Sequence, residues 1–200
     1  MTLFYRIAKA VIHPFCRWLQ PVRVIGKENI PKDGTFIMCS NHTSMSDPIF
    51  MITVFDRQIH FMGKSELFKN PIVGGVLRAA GAFPVERGKG DVSAISLAED
   101  ILRSNEILGI YPEGRRYKTG APRKAKSGVA HIAITTKADI VPVSVYRKGS
   151  YNWFKKTTIR IGNVIKYDDY YNPQLTERAN LKSVVELLTD TITKQWEMKH

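Results

Sequence analysis

The sequence predicts an α/β domain with a mostly parallel or mixed central sheet, flanked by helices and preceded by an N-terminal amphipathic segment. Short apolar runs alternate along the chain with stretches whose apolar residues recur at helical spacing. This alternation is typical of a sheet that is covered by helices on both faces. The chain has 200 residues, of which 44% are hydrophobic, and this suits a single domain with a substantial core.

Residues 1–22 are predicted to form a separate helical segment ahead of a domain that spans residues 23–200. Their apolar side chains make one broad stripe, formed by Leu3, Phe4, Ile7, Ala8, Val11, Ile12, Phe15 and Leu19. Pro14 predicts a kink in this helix or its division into two. The stripe either packs on the domain's own core or lies in a membrane interface, and the basic character of the chain favours the interface. No run reaches the ~18 uncharged apolar residues of a membrane span.

The strands and helices of the domain follow in a regular order. Strands are predicted, in chain order, within VRVIGKENIP, TFIMCS, QIHFMGK, AFPVER, EILGIYPEG, DIVPVSVY and TTIRIGNVI. Helices are predicted up to about Phe55, over NPIVGGVLRAAG with a cap at Gly81, after Asp91, and over residues 124–137. A final helix carries the stripe Leu181, Val184, Val185, Leu188, Ile192 and Trp196. In such folds, functional residues gather in the loops that follow the strands.

The formal net charge of +12 predicts an anionic partner, which is nucleic acid, an anionic membrane, or an acidic protein or substrate. The sequence contains neither a zinc finger nor an RNA-recognition signature, so no nucleic-acid partner is expected. The two cysteines, Cys16 and Cys39, make no disulfide framework, which favours a reducing, cytoplasmic setting. No Cys or His cluster has the spacing of a zinc site, and no metal or cofactor is expected.

The stretch SNHTSMSDPIF places His42 and Asp47 five positions apart, directly after a predicted buried strand. Inside a helix, side chains at this spacing point roughly 140° apart and do not meet. They meet if the chain turns from Asn41 to Ser44 and enters the helix only afterwards. An aspartate bonded to one imidazole nitrogen leaves the other nitrogen free to take a proton near neutral pH. The alternative is that both residues are ordinary cap and surface residues at the start of a helix.

Two later loops are basic and belong to the same predicted edge of the sheet. GAFPVERG ends one strand with Glu86 and Arg87, and YPEGRRYKTGAPRKAKSG ends the next with Glu113 and Gly114. The second loop carries six basic residues, namely Arg115, Arg116, Lys118, Arg123, Lys124 and Lys126. Because the planar guanidinium of arginine offers paired donors to a phosphate, these loops predict an anion site beside the His42 turn.

Taken together, these stretches resemble the glycerolipid acyltransferase family, and most of all its 1-acylglycerol-3-phosphate acyltransferases. In the order of the family's blocks, NHTSMSD matches Asn-His-x4-Asp, GAFPVER matches the arginine block, YPEGRR matches the Pro-Glu-Gly block, and IVPV matches the fourth. GKSELF resembles a short Lys-x-Glu-Leu segment of the family. The third block commonly continues Thr-Arg-Ser, whereas Arg115 and Tyr117 occupy the threonine and serine places here. The extra charge keeps anion binding, but a hydroxyl contact is lost.

The resemblance implies transfer of a fatty acyl group from a thioester of acyl carrier protein or coenzyme A to the free hydroxyl of lysophosphatidic acid. It implies that His42 removes the hydroxyl proton, that Asp47 orients His42, and that Lys64 meets the oxyanion. The residues expected to contact the acceptor are Asn41, Arg87, Glu113, Gly114, Arg115, Arg116 and Pro142. The alternatives that stay open are a surface position for Lys64 and a purely structural role for Glu113 in holding the basic loop.

The same resemblance implies a peripheral or monotopic protein on the cytoplasmic face of the cell membrane, because substrate and product both reside in the bilayer. The positive charge suits anionic lipid, an acidic acyl carrier protein or the phosphates of coenzyme A. One alternative is an acyltransferase for another acceptor, such as glycerol-3-phosphate or a different lysophospholipid. A second is a basic module that binds anionic lipid or nucleic acid, which leaves the turn from His42 to Asp47 unexplained.

Overall fold

The structure is a computed structural model that describes residues 3–19, 21–86, 91–117, 120–147 and 156–199, with side chains in the first helix only for 3–11 and 14. In these ranges, seven strands form one sheet. They are β1 Val22–Ile25, β2 Phe36–Ser40, β3 Ile59–Lys64, β4 Phe83–Val85, β5 Ile107–Ile110, β6 Asp139–Arg147 and β7 Thr157–Ile161. The order across the sheet is β1-β7-β6-β2-β5-β3-β4. Every neighbouring pair is parallel except β6 and β7, so the predicted mostly parallel or mixed sheet is confirmed.

The helices that the structure describes lie between and around these strands. They are α1 Leu3–Leu19, α2 Asp47–Val54, α3 Pro71–Ala79, α4 Val92–Arg103, α5 Ser127–Thr136, α6 Tyr167–Tyr170 and α7 Glu177–Glu197. Side chains of Asn70, Asp91 and Thr176 accept backbone N–H groups at the starts of α3, α4 and α7, which satisfies donors that have no partner inside a helix. The predicted helices are therefore present, and the short α6 is an element that the sequence analysis did not include.

Helix α5 begins three residues later than the predicted residue 124, at Ser127. The backbone N–H of Lys126 donates instead to the carbonyl of Pro112, over 2.9 Å, and Lys126 has an extended conformation. This bond ties the basic loop back to the end of β5, so residues before Ser127 are not available to the helix.

Two apolar layers cover the sheet. On one face, α4, α5 and α7 contribute buried residues that include Ala98, Ile132 and Leu188. On the other face, α2 contributes Phe50 and Met51, and α1 packs against α2. Because both faces are covered, β2 is buried at every position, which explains why it appears in the sequence as a continuous apolar run.

The direction of the strands decides where the functional loops meet. Strands β2, β3, β4, β5 and β6 run the same way, so their carboxyl ends lie along one edge of the sheet, here called the carboxyl edge. The opposite edge is called the amino edge. Residues after Ser40, after Ile110 and at Arg147 all lie at the carboxyl edge, and this brings distant parts of the chain together.

Helix α1 is continuous through Pro14, so the segment is one helix rather than two. Tyr5 is buried, and its hydroxyl accepts the backbone N–H of Ile59 over 3.4 Å. Lys9 donates to the carbonyl of Phe55 over 2.7 Å. The described part of the stripe points outward, since Leu3, Phe4, Ile7 and Val11 are exposed by 71%, 43%, 56% and 65%. Among the described residues, no helix has the length and apolar character needed to cross a membrane.

Candidate active site

His42 and Asp47 lie at the carboxyl edge, in the connection between β2 and α2. The chain leaves β2 at Ser40, passes through four residues without regular structure and two in a turn, and enters α2 only at Asp47. This is the turn that the sequence analysis required, and it lets the two side chains meet. His42 Nδ1 lies 2.9 Å from Asp47 Oδ2, and both side chains are buried.

Asp47 is fully buried and accepts several hydrogen bonds. Its Oδ2 accepts the backbone N–H groups of Thr43 and Ser44, over 2.7 and 2.8 Å. Its Oδ1 accepts Nη1 of Arg147 over 2.8 Å. Burial alone would raise the pKa of Asp47, but the hydrogen bond from His42, the charge of Arg147 and the Ser44 N–H outweigh it and hold the pKa below its ordinary value. Asp47 is therefore an acceptor only, which fixes a proton on His42 Nδ1.

Arg147 is a site residue that the sequence analysis missed. It is the last residue of β6 and is 5% exposed. Besides Asp47, its guanidinium contacts the hydroxyl of Thr43 and donates from Nε to Thr157 over 3.0 Å, and it lies over the ring of Phe50. A basic residue at the carboxyl end of a long buried strand was the available signal. The predicted strand ended one residue earlier, at Tyr146.

The imidazole of His42 is held from its flat side by Tyr111. The two rings stack with centroids 4.0 Å apart, and Tyr111 stacks in turn on Phe61 at 5.8 Å. Burial, together with the charge of Asp47, raises the pKa of Tyr111 well above its ordinary value, so the phenol stays neutral. The ring of His42 is therefore fixed by one hydrogen bond in its plane and by one aromatic neighbour against its face.

Glu113 and Gly114 form the tight turn after β5. Glu113 is 4% exposed. Burial raises its pKa to about 7, although the backbone N–H groups of Arg123 and His42 lower it in part. Gly114 has a φ of 75°, and a Cβ there would lie 2.9 Å from Nζ of Lys126. Only glycine adopts this backbone conformation without strain, so the Pro-Glu-Gly loop has a fixed shape directly beside His42.

The basic loop is tied to the His42 turn through its backbone. Tyr117 donates its N–H to the carbonyl of His42 over 2.9 Å. Arg115 Nε donates to the hydroxyl of Tyr117 over 2.8 Å, and the guanidinium groups of Arg115 and Arg123 lie 4.9 and 5.4 Å from the centroid of its ring. Tyr117, at the position where the family commonly has serine, thus contacts the two positively charged side chains of Arg115 and Arg123. Arg116, the neighbour of Arg115 in the chain, is also exposed.

Three further expected site residues, Asn41, Pro142 and Lys64, lie within the described ranges. Asn41 is buried. Its Nδ2 donates to the carbonyls of Val145 and Gly120, and its Oδ1 accepts a hydrogen bond from the backbone N–H of Val145. These bonds brace the turn and use both amide N–H groups. Pro142 lies within β6, paired with Cys39 below the carboxyl edge. A contact of Asn41 or Pro142 with a substrate stays a prediction.

Lys64 ends β3 at the carboxyl edge. One strand, β5, lies between β3 and β2, so the two backbones are about 10 Å apart. The ammonium of Lys64 is half exposed and pairs with Glu66 over 2.9 Å. Arg87 lies outside the described residues. In the described ranges, no three His, Cys, Asp or Glu side chains are grouped as metal ligands.

Comparisons with known proteins agree with this arrangement. The acyltransferase family profile matches residues 21–146. The chain is 34% identical over 182 residues to the 1-acyl-sn-glycerol-3-phosphate acyltransferase of Bacillus subtilis, and the alignment covers 89% of each chain. It is 30% identical over 196 residues to the enzyme of the same name from Borreliella burgdorferi, covering 90% of this chain and 74% of that one.

A solved structure shows the same fold. The crystal structure of the 1-acyl-sn-glycerophosphate acyltransferase of Thermotoga maritima superposes with a TM-score of 0.80 at 22% identity, covering 97% of this chain and 78% of that chain. The profile match includes the turn from His42 to Asp47, the Pro-Glu-Gly loop and most of β6. The chain therefore belongs to the acyltransferase family and is an acyltransferase.

Proposed function

We propose that the chain transfers a fatty acyl group from an acyl thioester to the sn-2 hydroxyl of 1-acylglycerol-3-phosphate, giving phosphatidic acid. The observation that carries this proposal is the bond of 2.9 Å between His42 Nδ1 and the buried Asp47, next to a loop of basic residues. The relatives from Bacillus subtilis and Borreliella burgdorferi are named for this acceptor, and their similarity covers most of the chain.

His42 is proposed as the general base. Since Asp47 accepts from Nδ1, the lone pair of the imidazole is on Nε2, and Nε2 takes the proton of the acceptor hydroxyl. The hydroxyl oxygen then attacks the thioester carbonyl and forms the new carbon–oxygen bond. As the tetrahedral intermediate collapses, the carbon–sulfur bond breaks and the thiolate leaves with the proton from Nε2. The reaction requires no covalent enzyme intermediate.

The oxyanion of that intermediate needs a donor, and Lys64 is proposed for this role. Its ammonium is paired with the exposed Glu66, and an exposed ion pair of this kind contributes little to stability. Lys64 can therefore leave Glu66 for the oxyanion at a small cost. Its place at the end of β3 puts it on the same edge as His42.

The basic loop is proposed to bind the phosphate of the acceptor. Arg115 and Arg116 lie in the segment that Tyr117 ties to the carbonyl of His42, so a phosphate bound there has its glycerol close to the imidazole. Arg87 is proposed to join them, and Glu113 and Gly114 shape the loop. Charge-assisted bonds from two or three guanidinium groups favour an acceptor with a phosphate over one without.

Residues 1–22 are proposed to seat the catalytic domain, residues 23–200, on the cytoplasmic face of the cell membrane as a peripheral or monotopic protein. Helix α1 contacts the domain through Tyr5 and Lys9, while the described part of its apolar stripe is exposed. This is the reverse of a helix that packs its apolar face on a core. An apolar row flanked by basic residues suits an anionic membrane interface.

The thioester donor is proposed to be acyl carrier protein or coenzyme A, both of which present negative charge to a chain of net charge +12. The experiment supplies purified protein with labelled acyl groups on each carrier. Its acceptors are lysophosphatidic acid, glycerol-3-phosphate, another lysophospholipid and monoacylglycerol. The proposal predicts phosphatidic acid from lysophosphatidic acid as the fastest product. Faster acylation of glycerol-3-phosphate or of another lysophospholipid would identify that compound as the acceptor instead of lysophosphatidic acid. Equal use of monoacylglycerol would exclude a site for the acceptor's phosphate.

A further inference from the structure

Helix α3 presents an apolar face to solvent. Ile72, Val73 and Val76 are exposed by 77%, 44% and 53%. Residues at spacings of three and four lie on one side of a helix, so Val76 extends the surface formed by Ile72 and Val73. Leu67, in the single helical turn before α3, is also exposed, by 38%. These four side chains are called the α3 face below.

The way in which α3 is attached leaves this face uncovered. Gly74 is the buried residue of the helix, and a Cβ there would lie 2.7 Å from the carbonyl oxygen of Phe68. Arg78 lies over the ring of Phe68, 5.3 Å from its centroid. The helix therefore docks on Phe68 through its backbone and one arginine. Its aliphatic side chains contribute little to the core, so their apolar character is not explained by folding.

The charge along the α3 face is mainly positive, and the acid next to Leu67 in the chain, Glu66, is paired with Lys64. From Leu67 to Val85 the sequence contains no Asp or Glu, whereas Lys69 and Arg78 carry positive charge. An exposed aliphatic surface whose flanking charge is mainly basic is complementary to anionic phospholipid, because the headgroups attract lysine and arginine while the acyl region takes aliphatic side chains. An acidic protein partner would match the charge but not the aliphatic surface.

The position of α3 agrees with that partner. The helix follows β3, so Pro71 and Ile72 come shortly after the carboxyl edge where His42 lies. Its last residues, Arg78 and Ala79, line one groove together with Phe4 of α1. The carboxyl end of α3 thus lies next to Phe4 of α1, and α3 leads from that groove back toward the carboxyl edge.

We propose that the α3 face is a second membrane-contact element, which inserts Leu67, Ile72, Val73 and Val76 into an anionic phospholipid surface. This inference rests on the proposed membrane function of α1. Two contact elements, rather than one, fix the tilt of a bound domain.

The test measures where single side chains lie when the protein is bound to vesicles of phosphatidylglycerol and phosphatidylcholine. Spin labels are attached to Ile7→Cys, Ile72→Cys or Leu175→Cys in a Cys16→Ser background, because the other cysteine, Cys39, is buried. Leu175 is the matched control, since it is 44% exposed like Val73 but follows α6 near the amino edge. Accessibility to oxygen and to a water-soluble nickel complex reports the depth of each label.

Labels at both positions 7 and 72 that become protected from nickel, with position 175 remaining accessible, support the inference. A label at position 72 that stays in water while position 7 is protected overturns it and leaves the proposed role of α1 intact. Protection at position 72 alone keeps the α3 face as a membrane contact but overturns the role of α1, and with it the arrangement of two contact elements. If the labels at positions 7 and 72 both stay in water, the roles of α1 and of the α3 face are both overturned. If the label at position 175 is protected as strongly as the other two, no specific membrane contact remains.

An activity measurement adds a functional readout. Ile72→Glu is expected to reduce acylation of vesicle-bound acceptor about tenfold, because a carboxylate opposes both insertion and anionic headgroups. Acylation of a short-chain soluble acceptor should stay at the wild-type rate. Leu175→Glu makes the same chemical change at the control position and should affect neither. Equal loss on both acceptors in the Ile72→Glu protein would assign α3 a structural role and overturn the proposal.

Discussion

At the scale of single residues, Asp47 is the centre of the site because several kinds of donor share its carboxylate. It has no exposure to solvent, and an isolated buried carboxylate would take up a proton. The hydrogen bond from His42, the guanidinium of Arg147 and two backbone N–H groups keep it ionised instead. This arrangement keeps the imidazole in one tautomer and one orientation.

Replacement of Arg147 by Met is expected to destabilise the fold by about 3–5 kcal/mol, because it leaves the buried carboxylate of Asp47 without its cationic partner. Arg147→Lys, which keeps the charge but loses the fork of donors, should cost less. Urea unfolding at pH 7 measures both. A loss below about 1 kcal/mol in the Met protein would mean that Arg147 does not support Asp47.

Glu113→Gln is expected to change how stability depends on pH. Burial raises the pKa of Glu113 from 4.5 to about 7, so between these values the unfolded chain loses a proton that the folded chain keeps. The contribution of Glu113 is complete below pH 4.5 and is lost as the pH rises through about 7. The Gln variant should lack this decline. Thermal melting of both proteins from pH 5 to 8 measures this difference. If the stability of the Gln variant changes with pH in the same way as that of the wild type, the prediction is contradicted.

The sequence predicted the pairing of His42 with Asp47 but not the contacts that Arg147 and Tyr111 make with them. The spacing of His42 and Asp47 and the polar turn between them are local, so they are visible in one short stretch. Arg147 is 100 positions from Asp47, and only the pairing of β2 with β6 brings them together. The stacking of Tyr111 on His42 depends on β5 lying beside β2, which no local pattern reveals.

At the scale of elements, two backbone hydrogen bonds hold the basic loop against the turn from His42 to Asp47. Lys126 donates to the carbonyl of Pro112 at the base of the loop, and Tyr117 donates to the carbonyl of His42 at its near side. Both bonds are independent of the charged side chains. The loop can therefore keep its place when a single arginine is replaced, which makes it suitable for mutagenesis.

Arg116→Ala is expected to raise the KM for lysophosphatidic acid about tenfold or more, since a hydrogen bond to a charged group is worth ~1.5–3 kcal/mol. The KM for the thioester donor should stay unchanged. Arg178→Ala is the matched control, because Arg178 is also exposed but lies in the first turn of α7. If the donor KM rises and the acceptor KM does not, the loop binds the donor instead.

Most elements could be predicted because their patterns are strong: apolar runs for the buried strands, and caps at Asp91 and Gly81 for helix ends. The start of α5 could not, since the bond from Lys126 to Pro112 overrides the helical pattern of its residues. The four-residue α6 carries too few residues for any period to appear. The antiparallel pairing of β6 with β7 is likewise a tertiary feature.

At the scale of the whole molecule, we propose that the net charge of +12 and the exposed apolar helices both contribute to membrane binding. Binding to anionic vesicles is therefore expected to weaken as salt rises, because screening shortens the Debye length from about 10 Å at 0.1 M to about 3 Å at 1 M. A residual affinity should survive, since apolar burial is not screened. Co-sedimentation across this range measures it. Binding that is equally strong at both ends would show that charge plays no part.

The central claim is that His42 is the base of an acyl transfer to lysophosphatidic acid. The most direct test compares wild-type and His42→Ala protein for labelled phosphatidic acid made from lysophosphatidic acid and an acyl thioester, after circular dichroism and melting show both to be folded. A positioned base contributes roughly 10²- to 10⁴-fold, so the variant should lose at least about 100-fold in kcat. A folded His42→Ala protein that forms phosphatidic acid at the wild-type rate would contradict the account.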